Sequence, residues 1–234
     1  TDGETYGHHH RRGEMALAYA LEQLHADPSV QVVNLEQWLA LEPPTWTCRL
    51  IEQSSWSCAH GFERWRSDCG CKIAPDRDWH QRWRAPFRAL LEDLRDRGRE
   101  ALSVLGEQLF AEPDVALDAY GEIIDRPHQF GDWYDQHVGD VSDACAARKW
   151  LEVHRHLMAM FTSCGWFFDD VTGIEPMQNL RHAAFALVQI NQLSGVDLAQ
   201  DFRAGLAKLP ANGDLQELLE GFDVASIPGE GKSV

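Results

Sequence analysis

Apolar residues recur at helical spacing along most of the chain, with polar residues between them. Near the start, Met15, Leu17, Leu21 and Leu24 predict a helix over residues 13–25, which Asp27-Pro28 closes. The same spacing predicts further helices over 79–111, 113–124, 141–161, 175–193, 198–208 and 215–222. The pattern therefore predicts a mainly α fold, a helical bundle.

One short segment near the start departs from the helical pattern. Residues 30–33 are apolar and β-branched, which predicts a short strand. Asn34 then follows as a helix cap for a short helix ending near Leu41, and Pro43-Pro44 breaks the chain. The bundle is therefore expected to carry a short β-containing N-terminal piece.

Composition narrows the class of protein. The chain has 234 residues, 44% of them hydrophobic, and a net charge of -16. This length and composition allow a sizeable core, and the negative charge argues against nucleic-acid binding, which needs clustered Lys and Arg. No apolar run approaches the ~20 residues that span a membrane. We expect a cytoplasmic protein whose six cysteines are reduced thiols.

The segment 54–71 combines cysteine, histidine, tryptophan and charge in a way that a core does not require. Cys58, His60, Cys69 and Cys71 offer four soft ligands, enough for a tetrahedral zinc site. Their spacing, with one residue inside each pair, is less usual than the two-residue spacing of zinc knuckles. The alternative is that Cys58 packs as a small apolar residue. On their own, Arg64, Trp65, Arg66 and Asp68 are typical of a solvated face with local ion pairs.

Aromatic residues beside polar ones predict a ligand-binding groove. Trp166, Phe167 and Phe168 are adjacent and cannot all point inward, so one is expected to line a groove. We assign Trp166 as a stacking platform and Asp169 as a hydroxyl acceptor. The alternative is a purely structural aromatic turn.

The chain begins with two carboxylates, Asp2 and Glu4, in a turn bounded by glycine. Alone, they are typical of a solvated terminus. The run Asp-Gly-Glu-Thr-Tyr-Gly-His-His resembles the fourth signature motif of glycoside hydrolase family 57, α-glucan-active enzymes with a (β/α)7 barrel. The stretches Trp-Ser-Cys-Ala-His-Gly and 161–170 are similar to a subgroup with a helical C-terminal domain of unknown function.

The resemblance implies specific roles for these residues. Asp2 would be the general acid/base of a retaining glycosidase or transglycosidase, with α-glucan or an oligosaccharide as substrate. Residues implied to bind substrate are Glu4, His8, Trp56, His60, Trp65, Trp166 and Asp169. Segments 54–71 and 162–170 would then converge near Asp2. The resemblance requires no cofactor, and the zinc site predicted from Cys58, His60, Cys69 and Cys71 would be structural.

The resemblance also implies a division of the chain. Residues 1–53 would be the C-terminal remnant of the catalytic barrel, and residues 54–234 the helical C-terminal domain. The family's nucleophile is a Glu on an earlier strand, so this chain is expected to be inactive alone. The alternative function is a non-catalytic helical module with a structural metal site or a carbohydrate-binding role. A redox role for Cys69 and Cys71 is disfavoured because no thioredoxin-like βαβ pattern surrounds them.

Overall fold

A computed structural model describes residue 6, residues 10–55 and residues 57–222. The described chain is mainly helical, as the apolar periodicity predicts. It divides into two compact units, Thr1–Glu52 and Gln53–Val234. None of the described helices is long and apolar enough to cross a membrane.

In the first unit, residues 10–52 form two α-helices, α1 (Gly13–Ala26) and α2 (Leu35–Leu41). Asn34 and Gln37 form a capping box at the start of α2. Asn34 Oδ1 accepts the Gln37 N–H at 2.8 Å, and Gln37 Oε1 accepts the Asn34 N–H at 3.1 Å. No described residue of this unit is buried. Large apolar side chains are instead exposed, among them Met15 (64%), Tyr19 (64%) and Trp46 (89%).

The predicted strand at residues 30–33 does not form. A strand needs a neighbouring chain segment that pairs with its backbone, and residues 31–34 have no regular secondary structure. Among the described residues, β pairing is limited to an isolated antiparallel bridge between Phe110 and Val138. The N-terminal piece therefore lacks the β structure that the sequence led us to expect.

The second unit is built from helices of very different length. They are α3 (Arg84–Leu109), α4 (Pro113–Ala119), α5 (Phe130–Tyr134), α6 (Ala144–Ala159), α7 (Cys164–Phe167), α8 (Ile174–Ser194), α9 (Ala199–Leu206) and α10 (Leu215–Gly221). Short 3₁₀ turns occur at Glu63–Trp65, Tyr120–Glu122 and Pro127–Gln129. Pro86 lies in the first turn of α3, where its missing N–H costs no helical hydrogen bond.

The core lies where α3, α6 and α8 pack against one another. Glycine allows α3 to approach α6 closely: a Cβ on Gly106 would lie 2.6 Å from Trp150 Cζ2. The Trp150 indole N–H donates to the Leu102 carbonyl of α3 at 3.0 Å, so the buried ring leaves no unpaired donor. Packing in the core therefore holds α3 in place, and the segment that precedes α3 packs against its first turn.

The described residues between 53 and 83 contain no α-helix, and tertiary contacts fix them to the start of α3 and to the turn around α7. The buried Trp83 indole donates to the Asp169 carbonyl at 3.2 Å, and the Trp166 indole donates to the Arg84 carbonyl at 3.3 Å. These two contacts hold the beginning of α3 against the segment 166–169. The Cys/His segment lies on this base.

Candidate metal centre

The side chains of Cys58, His60, Cys69 and Cys71 meet at one point. Their four ligand atoms all lie within 4.8 Å of one another. The Cys58 Sγ atom is 3.9 Å from the Sγ atoms of both Cys69 and Cys71, and 3.9 Å from His60 Nδ1. The Cys71 Sγ atom is 3.5 Å from the same nitrogen. Four residues that could hold a metal ion are thus assembled by the fold.

The four separations of 3.5–3.9 Å are close to the edges of a tetrahedral zinc site. Zinc bound at about 2.3 Å to sulfur and about 2.0 Å to nitrogen places two sulfurs about 3.8 Å apart, and sulfur and nitrogen about 3.5 Å apart. The cluster therefore has the ligand types, the number and the spacing that a closed tetrahedral site needs. Both predicted ligand pairs contribute to it.

The local backbone explains how the single-residue spacings work. Gly61 and Gly70 have φ of 81° and 77°, the left-handed region that glycine enters without strain. Gly70 separates Cys69 from Cys71 and turns the chain between the two thiols. At Gly61 the backbone passes so close to residue 53 that an added Cβ would lie 2.6 Å from the Gln53 carbonyl oxygen. The glycines let this segment fold back on itself.

The environment favours a thiolate at the most enclosed ligand. Burial raises the pKa of the Cys58 thiol, but hydrogen bonds outweigh burial and lower that pKa to about 7. These bonds come from the backbone N–H groups of His60 and Arg64 and from the side chains of His60 and Cys71. The pKa of Cys69 is instead raised, first by burial. Because metals bind the thiolate form, Cys58 is prepared for metal binding near neutral pH.

The segments 54–71 and 162–170 do converge, as the groove hypothesis requires. The Trp65 indole N–H donates to the Ser163 carbonyl at 3.0 Å, and Arg64 Nη1 donates to the Phe167 carbonyl at 3.3 Å. These bonds and the contact between the 3₁₀ turn and α7 bring the segments together. The Trp65 ring is half-buried with its only polar atom engaged.

Trp166 and Asp169 do not face a groove. The Trp166 ring is fully buried, 5.1 Å from the Phe87 ring between centroids and stacked at 6.4 Å on Phe161. It packs the core and offers no stacking surface to a sugar. The Asp169 carboxylate, 6% exposed, accepts the backbone N–H groups of Ile73 and Ala74 at 2.7–2.9 Å. Both residues therefore have a structural role, which is the alternative given in the sequence analysis.

Four predicted site residues lie outside the part of the chain that the structure describes. They are Asp2, the expected acid/base, and the expected substrate-binding residues Glu4, His8 and Trp56. Their roles stay predictions. His60 is placed in the Cys/His cluster, where its Nδ1 atom lies 3.9 Å from Cys58 Sγ and 3.5 Å from Cys71 Sγ.

Two arginines of the site were missed by sequence reasoning. Arg64, predicted to lie on a solvated face, is only 4% exposed, and Arg84 is completely buried. Arg84 Nη1 lies 3.8 Å from Cys69 Sγ, and Arg84 Nη2 donates to the Phe168 carbonyl at 3.3 Å. Arg66 does form the expected local ion pair, with Glu63. The sequence shows that these arginines are charged, but it does not show that segments distant in the sequence bury their side chains.

Comparison with known proteins gives a family without an assigned activity. Residues 79–224 match a family model described as "Domain of unknown function (DUF3536)". No significant match was found among curated proteins or among solved structures. The matched region begins just before α3 and includes the turn at 166–170. The Cys/His cluster lies ahead of it.

Proposed function

The chain belongs to the family of domains of unknown function DUF3536, and we propose that in this member a structural zinc centre holds the helical unit together. The observation that carries the proposal is the tetrahedral spacing of Cys58, His60, Cys69 and Cys71. Four protein ligands close the coordination sphere and leave no position for water or substrate. Closed sites of this kind are structural rather than catalytic.

The surroundings of the cluster support a structural role. The segment that carries the cluster contacts the start of α3 through Cys69 and the turn at 166–169 through Arg64, and these two segments are far apart in sequence. A metal that fixes residues 58–71 therefore also fixes the surface against which both segments pack. Since such a site does not exist in the unfolded chain, the free energy of zinc binding adds to the free energy of folding.

Elemental analysis tests the zinc centre. The purified chain is expected to carry about one zinc per molecule. Replacement of a ligand, Cys69→Ser or Cys71→Ser, should abolish stoichiometric zinc and lower the melting temperature. Chelation of the wild-type protein should lower the melting temperature in the same way, because both treatments remove the metal's contribution to folding.

Cys164→Ser is the matched control, because Cys164 is an exposed thiol outside the cluster. This variant should keep its zinc and its stability. A wild-type protein without zinc after expression in zinc-supplemented medium would overturn the proposal. Equal zinc content in the Cys71→Ser and Cys164→Ser variants would do the same.

We propose, as a second candidate, that the chain is the C-terminal part of a retaining α-glucan-active glycoside hydrolase or transglycosidase. Its support is the motif at residues 2–9, which resembles the acid/base motif of glycoside hydrolase family 57. A second observation favours it. In the described part of residues 1–52 no side chain is buried, and Met15, Tyr19 and Trp46 are exposed. Apolar side chains on this scale are typical of a surface that another part of a protein covers.

Activity of a longer polypeptide that contains this chain tests the second candidate. Asp2→Asn should remove most activity on α-glucans and leave thermal stability nearly unchanged, because an acid/base catalyst is needed for chemistry and not for packing. Asp76→Asn, at an exposed aspartate, should leave activity unchanged. Full activity in the Asp2→Asn protein would overturn the assignment.

A further inference from the structure

Two arginines are buried beside the metal cluster without a carboxylate in contact. Arg84 is fully buried and Arg64 is 4% exposed. Among the described residues, neither guanidinium forms an ion pair with Asp or Glu, and the Nε atoms of both lack a hydrogen-bond partner. Burial of an unpaired charge is costly. Hydrogen bonds to the Phe167 and Phe168 carbonyls offset part of this cost, and a negative charge nearby would offset more of it.

The thiols of the cluster are placed to supply that charge. Arg84 Nη1 lies 3.8 Å from Cys69 Sγ, within hydrogen-bonding distance for sulfur. Burial lowers the pKa of Arg84, while negative charge on Cys69, Asp169 and Cys71 acts against that effect, and Arg64 adds to it. The Asp169 carboxylate is already engaged by the backbone N–H groups of Ile73 and Ala74. Cys69 Sγ is the cluster atom that contacts Arg84 directly, and it becomes negatively charged when the thiol binds a metal as thiolate.

Metal binding adds negative charge beside the two buried arginines. A zinc ion held by three thiolates and one neutral imidazole carries one net negative charge. With Asp169, that centre balances the two buried arginines. The buried cations and the anionic zinc–thiolate centre thus stabilise each other.

We infer that Arg84 is a positioning residue of the zinc centre, which holds Cys69 through an N–H···S hydrogen bond and fixes the centre to the start of α3. This inference rests on the proposed zinc site. The second guanidinium hydrogen bond, to the Phe168 carbonyl at 3.3 Å, fixes the direction of the first. Hydrogen bonds to coordinating groups orient them and tune the metal. Arg64, bonded to the Phe167 carbonyl, supplies the second positive charge.

Zinc affinity in Arg84 variants tests the inference. In competition with a chelator, Arg84→Met should bind zinc about 10- to 100-fold more weakly than the wild type. Arg84→Lys should lie between the two, because an ammonium keeps the charge and loses the fork that reaches both Cys69 and Phe168. Arg88→Met is the matched control, since Arg88 is one turn further along α3 and pairs with Glu92 at 2.9 Å. It should bind zinc like the wild type.

A spectroscopic readout separates positioning from mere packing. In the cobalt-substituted protein, loss of the N–H···S bond should move the thiolate-to-cobalt charge-transfer absorption to longer wavelength, because the hydrogen bond stabilises the sulfur lone pairs. The shift should appear in Arg84→Met and not in Arg88→Met. Where Arg84→Met fails to fold, Arg84→Lys carries both measurements.

Two failures can be told apart. If the wild type binds no zinc or cobalt, the proposed zinc centre is wrong and the role of Arg84 falls with it. If the wild type binds zinc, but the Arg84 variants keep its affinity and its cobalt spectrum, the zinc centre stands and the inference is overturned. A variant equally destabilised with and without metal, at unchanged zinc affinity, would likewise reduce Arg84 to a packing residue.

Discussion

Asp169 shows at the scale of one residue how the turn after α7 holds the segment that follows the Cys/His cluster. Its carboxylate accepts the Ile73 N–H at 2.8 and 2.9 Å and the Ala74 N–H at 2.7 Å. Asp169→Asn should lower the free energy of unfolding by about 1–3 kcal/mol, because the amide loses the negative charge that strengthens these hydrogen bonds and its nitrogen would point a second donor at the Ile73 N–H. Urea denaturation measures this loss.

The matched control for Asp169→Asn is Asp76→Asn, at an exposed position of the same unit. It should change the free energy of unfolding by less than about 0.5 kcal/mol. Equal stability of the two variants would show that the bonds from residues 73 and 74 contribute nothing net.

The chemistry of single residues was predictable where it depended on nearby sequence. Cys58, His60, Cys69 and Cys71 lie within fourteen positions, and their residue types alone indicated a metal site. The roles assigned to Trp166 and Asp169 depended on whether they face solvent, and segments about a hundred residues away decide that. The same holds for Arg84, which is buried against the distant residues Trp166 and Phe168.

At the scale of elements, the helices with strong local signals were predicted well. The expected helix over 175–193 is α8 (Ile174–Ser194), and the helix after Asn34 is α2, with its capping box. The helix expected over 113–124 is shorter: α4 ends at Ala119, and the 3₁₀ turn Tyr120–Glu122 continues it. Hydrophobic periodicity and capping residues are local properties of the sequence, so they predict that a helix forms. They locate the two ends of the helix only to within a few residues.

The missed elements have physical reasons. Helices α5 (Phe130–Tyr134) and α7 (Cys164–Phe167) span barely one turn, which is too short to show a period. Tertiary packing supports them instead, as the buried Phe130, Trp133 and Trp166 indicate. The strand expected at 30–33 failed for the opposite reason. Its residue types favour β structure, but a strand also needs a partner that the local sequence does not supply.

At the scale of the whole molecule, burial is distributed very unevenly. Every buried side chain of the described residues lies in the unit Gln53–Val234, and that unit also contains the complete Cys/His cluster. Hydrophobic stabilisation is proportional to the apolar area removed from water. The free energy of folding should therefore reside in the second unit.

A shortened chain tests this distribution. Residues 53–234 alone should melt within about 2 °C of the full chain and keep one zinc, because none of the buried core is removed. A chain of residues 79–234, which covers the family match but lacks the four ligands, should melt at a clearly lower temperature, since Trp83 and Arg84 lose the segment that covers them. Calorimetry and zinc analysis on the three chains give the answer. A large loss of stability in the 53–234 chain would mean that residues 1–52 stabilise the fold through contacts that their exposure does not reveal.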